Sequence, residues 1–561
     1  IVKTANIEGN TIAIPISKAF SVQSKILGNA EILDAVNHNN LKVNILWTTN
    51  PSLISNISLT NTSPIALADI TSTNINVKIA PNQSGNAVVT LHNGSITNPI
   101  YWSWHIWVTN SEITNIVYDS AQPITGATNY INYTKFGGAL ETEFMDRNLG
   151  AEEAFPTVMT PANPTADELS KIKISGGLQY QWGRKDPIPP FMNPDGSSYP
   201  IYLGNTNSDG STSYTLLDST TYNNANGNYI KAYNNYTDAG NANVLSTDKI
   251  SDKLNKVLKY SVQNPLVFMV PSNFAPVFSN AVQYTNGSDW LSNESNLGAN
   301  RWGRGDVKSV FDPCPKDYRI PDVVAVAPDA IYNSSPWSKS ETNGSVALDV
   351  SSIYYGVKVG DGLGYQFNDN AYNIGNYPYV GIRGERDLFS GTLPDYTKLS
   401  SNNSGIWTSA LTSNYYGRAI NFAFNRSINK MATFNSVNDP YFAMNCRCVK
   451  IKNVNNEQQG PILAFPITQN TGKKANNIFN NKEIQQKVKS NLVLYPIPVD
   501  SVLNINATDN KDYYYQIYNM AGQMVKEGRF INKQTNLSDL SSGAYLVRVN
   551  DSNEIVKIIK K

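Results

Sequence analysis

The stretch YWSWHIWVTN (101–110) is a β-type run in which Trp102, Trp104 and Trp107 crowd one short strand. Alternation places Trp102 and Trp104 on one face and Tyr101, His105 and Trp107 on the other. Rings on both faces imply a strand packed on both sides; left exposed, the same rings would form a flat apolar platform for a sugar. Working outward, similar runs recur at 11–16, 41–47, 76–79 and 87–91, spaced by Asn, Gly, Ser, Thr and Pro. Such spacing predicts a β-sandwich over 1–110. Helical periodicity is confined to 167–174 and 248–260, so the expected class is mainly β with a minor α+β part.

Further along, 111–452 reads as a second, larger domain. Between about 195 and 300 it turns to Asn, Ser, Thr, Gly and Tyr, as in SYTLLDSTTYNNANGNYIKAYNNYT, which predicts a long insertion of loops. Residues 453–490 have the Asn, Gln and Lys content of a tether. Alternation returns in 491–561, predicting a small terminal β-sandwich.

Composition narrows the function. The 561 residues carry 45 Lys and Arg against 44 Asp and Glu, and charged residues make up only 16%. That balance excludes a broad basic surface for nucleic acid. Apolar runs such as 96–108 are broken by Asn, Pro, Ser and His, so no membrane-spanning stretch is expected. The chain opens at Ile1 without a charged, then apolar, leader, as expected of a mature or truncated product.

Motifs for chemistry are sparse. The three histidines, His38, His92 and His105, fall in no zinc spacing, and no nucleophile elbow, P-loop or dinucleotide fingerprint occurs. Glu152 with Glu153, or Glu385 with Asp387, would serve a glycosidase only if the fold held the carboxyls about 5–10 Å apart across a cleft. Surface or Arg-paired carboxylates are the default. The turns NPDGSS (193–198), NTNSDGS (205–211) and YQFNDN (365–370) group the hard oxygens that calcium favours, yet none completes an EF-hand, and Asx turns account for them. Cys446 and Cys448 stand two apart on a strand and are poorly placed to bond each other. Either can reach Cys314, closing a loop of more than about a hundred residues; three reduced thiols are the alternative.

In combination, WSWHIWVTN (102–110), MDRNLGA (145–151), GLQYQWGRKDPIP (177–189), DPCPKDYRIPD (312–322), VGIRGERDLFSG (380–391), GIWTSAL (405–411) and NCRCVK (445–450) resemble the fimbrillin-like, or major-paralogous-domain, surface proteins of Bacteroidetes. The resemblance implies a C-type-lectin-like fold over the central domain, clasped by a long-range disulfide. Cys314 and Cys448 match the family cysteines, whereas Cys446 occupies the family's Val position and is implied to be an unpaired thiol. The same fold includes the formylglycine-generating enzymes, whose reactive cysteine pair has no match here.

The end of the chain, LYPIPVDSVLNI, YQIYNMAGQMVKEG, NLSDLSSGAYLVRV and IVKIIKK, resembles the type A sorting domain of Bacteroidetes type IX secretion. The resemblance implies an Ig-like β-sandwich; here Ile497 stands where the family has Asn between two prolines. It implies passage through the periplasm to the cell surface or beyond, contact with the secretion machinery through 491–561, and O-glycosylation at Asp-Ser-apolar triplets, to which 119–121 and 500–502 conform.

Together these readings predict a secreted or surface-displayed adhesion protein, not an enzyme, that recognises glycan or surface polymer. Tyr365, Asn368, Asp369, Asn370, Arg383 and Trp407 are the expected ligand-binding residues, since they lie where lectin-like folds place long loops. No cofactor is expected, calcium being the one ion the turns would suit, and self-association is a further expectation. A structural subunit of a surface filament is the alternative; a divergent enzyme on the lectin-like fold is the second.

Overall fold

The computed structural model describes residues 2–117, 143–232, 250–270, 289–291, 301–321, 356–366, 375–384, 403–411, 417–423, 430–451 and 493–561, with short gaps inside these ranges. They divide into two compact units, 1–473 and 474–561. The tether expected at 453–490 lies outside the described residues. Strands dominate both units, as the alternation predicts.

The first unit opens with a six-stranded sheet in the order Val2–Thr4, Ile100–Thr109, Gly85–Asn93, Leu41–Thr48, Ile201–Thr206, Thr212–Leu217. A second sheet orders Asn10–Pro15, Asn74–Ile79 and Ile54–Leu59, with Ile12, Ile14, Ile57, Ile75 and Val77 buried at alternate positions. Gly85–Asn93 is buried on both faces apart from its last residue, as an inner strand demands. The Ile100–Thr109 strand settles the two readings of its rings. Trp102, Trp104 and Trp107 are 1%, 8% and 1% exposed, so they fill cores and offer no sugar platform.

Residues 201–217 correct the expectation of a loop-rich insertion. They form a hairpin that adds two strands to the N-terminal sheet, Tyr202 and Leu203 pairing with Thr48 and Trp47. The 110/111 boundary is therefore crossed by a sheet drawing strands from both sides. Gly204 explains the close approach, because a Cβ there would overlap the Ile45 carbonyl oxygen. Two turns of the same sequence pattern, Asn-x-Asp-Gly-Ser, take the same form. Asp195 accepts from the Ser197 amide and hydroxyl at 2.9 and 2.6 Å, and Asp209 from Ser211 at the same distances. These are Asx turns, with each carboxylate turned back on its own loop.

Beyond this, an eight-stranded sheet runs in the order Gln179–Gln181, Ala443–Asn445, Asn403–Leu411, Gly417–Ala423, Lys430–Asn438, Gly356–Val359, Gly364–Gln366, Tyr377–Pro378. A smaller sheet brings Glu143–Met145 beside Val449–Lys450, with Phe144 opposite Val449. Immediately before Val449, Cys448 forms a disulfide with Cys314, 134 residues away in sequence, with Cα atoms 5.9 Å apart. Cys446 is a buried free thiol. Both helical segments expected from periodicity are present, as Ala166–Lys173 and Ile250–Gln263. The former starts on a capping box in which Thr165 and Glu168 satisfy each other's backbone amides.

The second unit stacks Val493–Tyr495, Val502–Asn506 and Gln534–Asn536 against a sheet ordered Met524–Arg529, Tyr514–Asn519, Gly543–Val549, Ile555–Lys560. Leu503, Ile505, Ile517, Leu537, Val547 and Ile558 form its core. No helix among the described residues is long and apolar enough to cross a membrane.

Candidate functional site

Of the residues expected to bind ligand, Tyr365, Arg383 and Trp407 are each 0% exposed. Burial raises the Tyr365 phenol above its ordinary range. Arg383 donates to the Pro189 carbonyl and lies 5.5 and 5.6 Å from the Phe191 and Tyr222 rings. Trp407 donates its indole N–H to the Tyr180 carbonyl at 2.7 Å. These three side chains belong to the interior of the central sheet and present nothing to an outside ligand. Asn368, Asp369 and Asn370 lie outside the described residues, as do Glu385 and Asp387. Aromatic and guanidinium groups suit both sugar contacts and buried frames, and only burial separates the two.

The interior carries its charges in a closed frame. Arg301 grips Asp289 with two N–H donors and stacks 4.5 Å from the Trp182 ring centre. Lys185 reaches both Asp186 oxygens at 2.7 and 2.9 Å and sits 4.2 Å over Trp102. Burial lowers the Lys185 pKa while Asp186 opposes that shift. Asp186 also accepts from Ser103 at 2.6 Å, so this pair ties the N-terminal sheet to the central part. Asp312 accepts from the Cys314 and Ile320 amides at 2.8 and 2.9 Å and shapes the turn that presents Cys314. Such pairs position rather than react, since each charge already has its partner.

Glu152 and Glu153 serve separate anchors. Glu152 accepts from Ser84 at 2.5 Å, and Glu153 from Asn110 at 2.8 Å. Burial pushes the Cys446 thiol well above its ordinary pKa, with Asp312 adding to the shift, which is opposite to what a nucleophilic cysteine needs. Among the described residues no cluster of three or more His, Cys, Asp or Glu could hold a metal ion.

A recess does open at one end of the N-terminal sheets. It holds about 480 Å³, within the usual range for ligand clefts, and lies between the start of Leu41–Thr48, the end of Ile54–Leu59 and the Thr206–Asp209 turn. Gly210 lets that turn close the recess, because a Cβ there would come within 2.5 Å of the Ile57 carbonyl oxygen. The Ile57 amide donates to the Gly210 carbonyl at 3.2 Å, and Asn56 donates to Asp209 at 3.1 Å. Sequence reasoning missed this cleft because its third wall comes from the segment read as loops. The Asn-x-Asp-Gly-Ser turn between two β-type runs was the available signal.

The terminal unit has its own functional geometry: a two-sheet sandwich in which Gly528 leaves room for Tyr515, whose hydroxyl accepts from Thr535 at 2.8 Å. Residues 493–561 match the secretion system C-terminal sorting domain. That sorting tail directs the protein through type IX secretion to the cell surface or the extracellular space. It thereby engages the type IX machinery. No curated protein matches the chain.

Proposed function

We propose that the exported protein is a non-catalytic binding or adhesion protein that engages a surface polymer once outside the cell. The observation that carries this reading is a disulfide-clasped frame whose buried charges and rings are mutually engaged, beside a recess of ligand size on an exported chain. A frame of that kind holds a surface in fixed shape, which lowers the ordering cost of binding. Glycan remains within the expected ligand class, through amide and hydroxyl groups rather than the buried rings. A lectin-like arrangement of the central part is supported by an early strand, Glu143–Met145, lying beside its last, Val449–Lys450, with the helix Ala166–Lys173 following the former. Binding of the purified full chain to bacterial and host cell surfaces, with a glycan array in parallel, tests the reading. Saturable retention on at least one surface is expected; none on any would defeat it.

A self-associating filament subunit is the second reading, favoured by the outermost strand of the six-stranded sheet, Thr212–Leu217, which exposes Leu216 at 57%. An edge with no partner strand among the described residues is a template for pairing. Mass photometry at micromolar concentration discriminates: oligomers favour this reading and a monomer defeats it.

A further inference from the structure

The recess in the N-terminal sheets has an unusual wall. Three consecutive residues of one strand, Leu41, Lys42 and Val43, line it, and so do three consecutive residues of another, Ile57, Ser58 and Leu59. Neighbours along a strand point to opposite faces, so three in succession border one space along the strand's edge or past its end, and the outward-pointing Ile45 and Ile57 amides favour the edge. The recess therefore lies beside two strand edges rather than on a sheet face.

Among the described residues, both edges lack a neighbouring strand there. Ile54–Leu59 is the outer strand of its sheet, paired only with Asn74–Ile79. Leu41–Thr48 pairs with Gly85–Asn93 on one side, while on the other the Ile201–Thr206 strand pairs only at Trp47 and Thr48 before its last residue, Thr206, accepts from the Ile45 amide at 3.1 Å. Since the Ile45 N–H points away from Gly85–Asn93, the regular register puts the backbone groups of Val43 and Leu41 on that same outward side. By the same parity, the Ile57 amide that donates to Gly210 places the backbone groups of Leu59 toward the recess. Of the charged residues on the wall, Asp209 is engaged by Ser211, whereas Lys42 has no carboxylate partner among the described residues.

We propose that this recess docks an extended polypeptide strand from another protein, which continues the six-stranded sheet beside Leu41–Val43 where Ile201–Thr206 leaves it and sets an acidic side chain against Lys42. The inference rests on the binding role above and gives that role a polypeptide ligand at this recess. Backbone donors and acceptors repeating every second residue match a β-strand. The lining residues include no aromatic ring on which a pyranose could stack, which disfavours sugar at this place.

The test pans a multivalent display library of random eight-residue peptides against the full chain. A synthetic copy of the most enriched peptide is then titrated into wild type, Ser208→Trp and Lys42→Glu. Ser208 is exposed on the turn that borders the recess, so the indole obstructs the space without entering a core. Enriched peptides that alternate β-branched and acidic residues are expected, with affinity falling about tenfold or more in Ser208→Trp and about threefold in Lys42→Glu. N-methylation at alternate peptide amides should cost about fivefold, and at the intervening amides almost nothing. Unchanged melting temperatures establish that both variants fold. No enrichment, equal affinity in wild type and both variants, or indifference to which amides are methylated overturns the proposal. Cell-surface binding that survives in Ser208→Trp would defeat the recess alone, whereas loss of all binding by wild type would defeat the adhesion role itself.

Discussion

Replacing both bridged cysteines, Cys314→Ser with Cys448→Ser, isolates the covalent clasp without creating an unpaired sulfur. The bond spans 134 residues of sequence, and chain entropy for a loop of that length corresponds to about 5 kcal/mol of lost stability at 25 °C. The effect on melting is smaller than that figure suggests. Unfolding the 473-residue first unit as one transition carries an entropy on the order of 1 kcal/mol per kelvin, so the shift is about 5 °C. Calorimetry of the full chain without reductant measures it, alongside thiol titration of unfolded, unreduced wild type. One titratable thiol is expected, that of Cys446. Three thiols in wild type, or a double variant that melts with wild type, would refute the reasoning.

Other consequences are equally direct. Gly204→Ala puts a methyl group against the Ile45 carbonyl, and a loss of about 1–3 kcal/mol in urea unfolding is expected, a neutral result counting against the hairpin's place in the sheet. Burial raises the Glu152 pKa, with the Ser84 hydrogen bond opposing and Glu153 adding to the rise. An acid shifted upward contributes stability below its unfolded pKa that is lost as pH rises through the folded one. Glu152→Gln should therefore melt above wild type at pH 7 and level with it near pH 4. His105 is held well below its ordinary pKa of 6.5 by burial, so its contribution is present above that value and declines as pH falls, by about 1.4 kcal/mol per pH unit. Urea midpoints at pH 7 and 5 should show His105→Gln losing less stability on acidification than wild type.

How much of this could be read from residues depended on the range of the interactions involved. The Trp-rich strand, the sandwich runs around it and both helices are legible because alternation, periodicity and caps are local properties. The Cys314–Cys448 pairing came from resemblance; spacing alone left it open. The hairpin at 201–217 is hidden in the sequence because its strands bury their residues irregularly: in the first, only Ile201 and Thr206 at its two ends are buried. Its place follows from a missing side chain at Gly204 and a turn at Asp209 that meets a strand about 150 residues earlier. That Tyr365, Arg383 and Trp407 are buried is illegible in the sequence because residue type is silent on burial. The recess was illegible for a related reason, since an open strand edge exists only once its neighbour is known to depart.

Export by the terminal unit is the claim from which the extracellular role descends, and localisation tests it without intermediaries. In a cell with a functioning type IX system, the full chain and a chain ending before residue 493 are compared by antibody staining of intact cells and by fractionation. The full chain should reach the surface or the medium while the shortened one stays within the envelope. A shortened chain found outside the cell in equal amount would contradict the assignment.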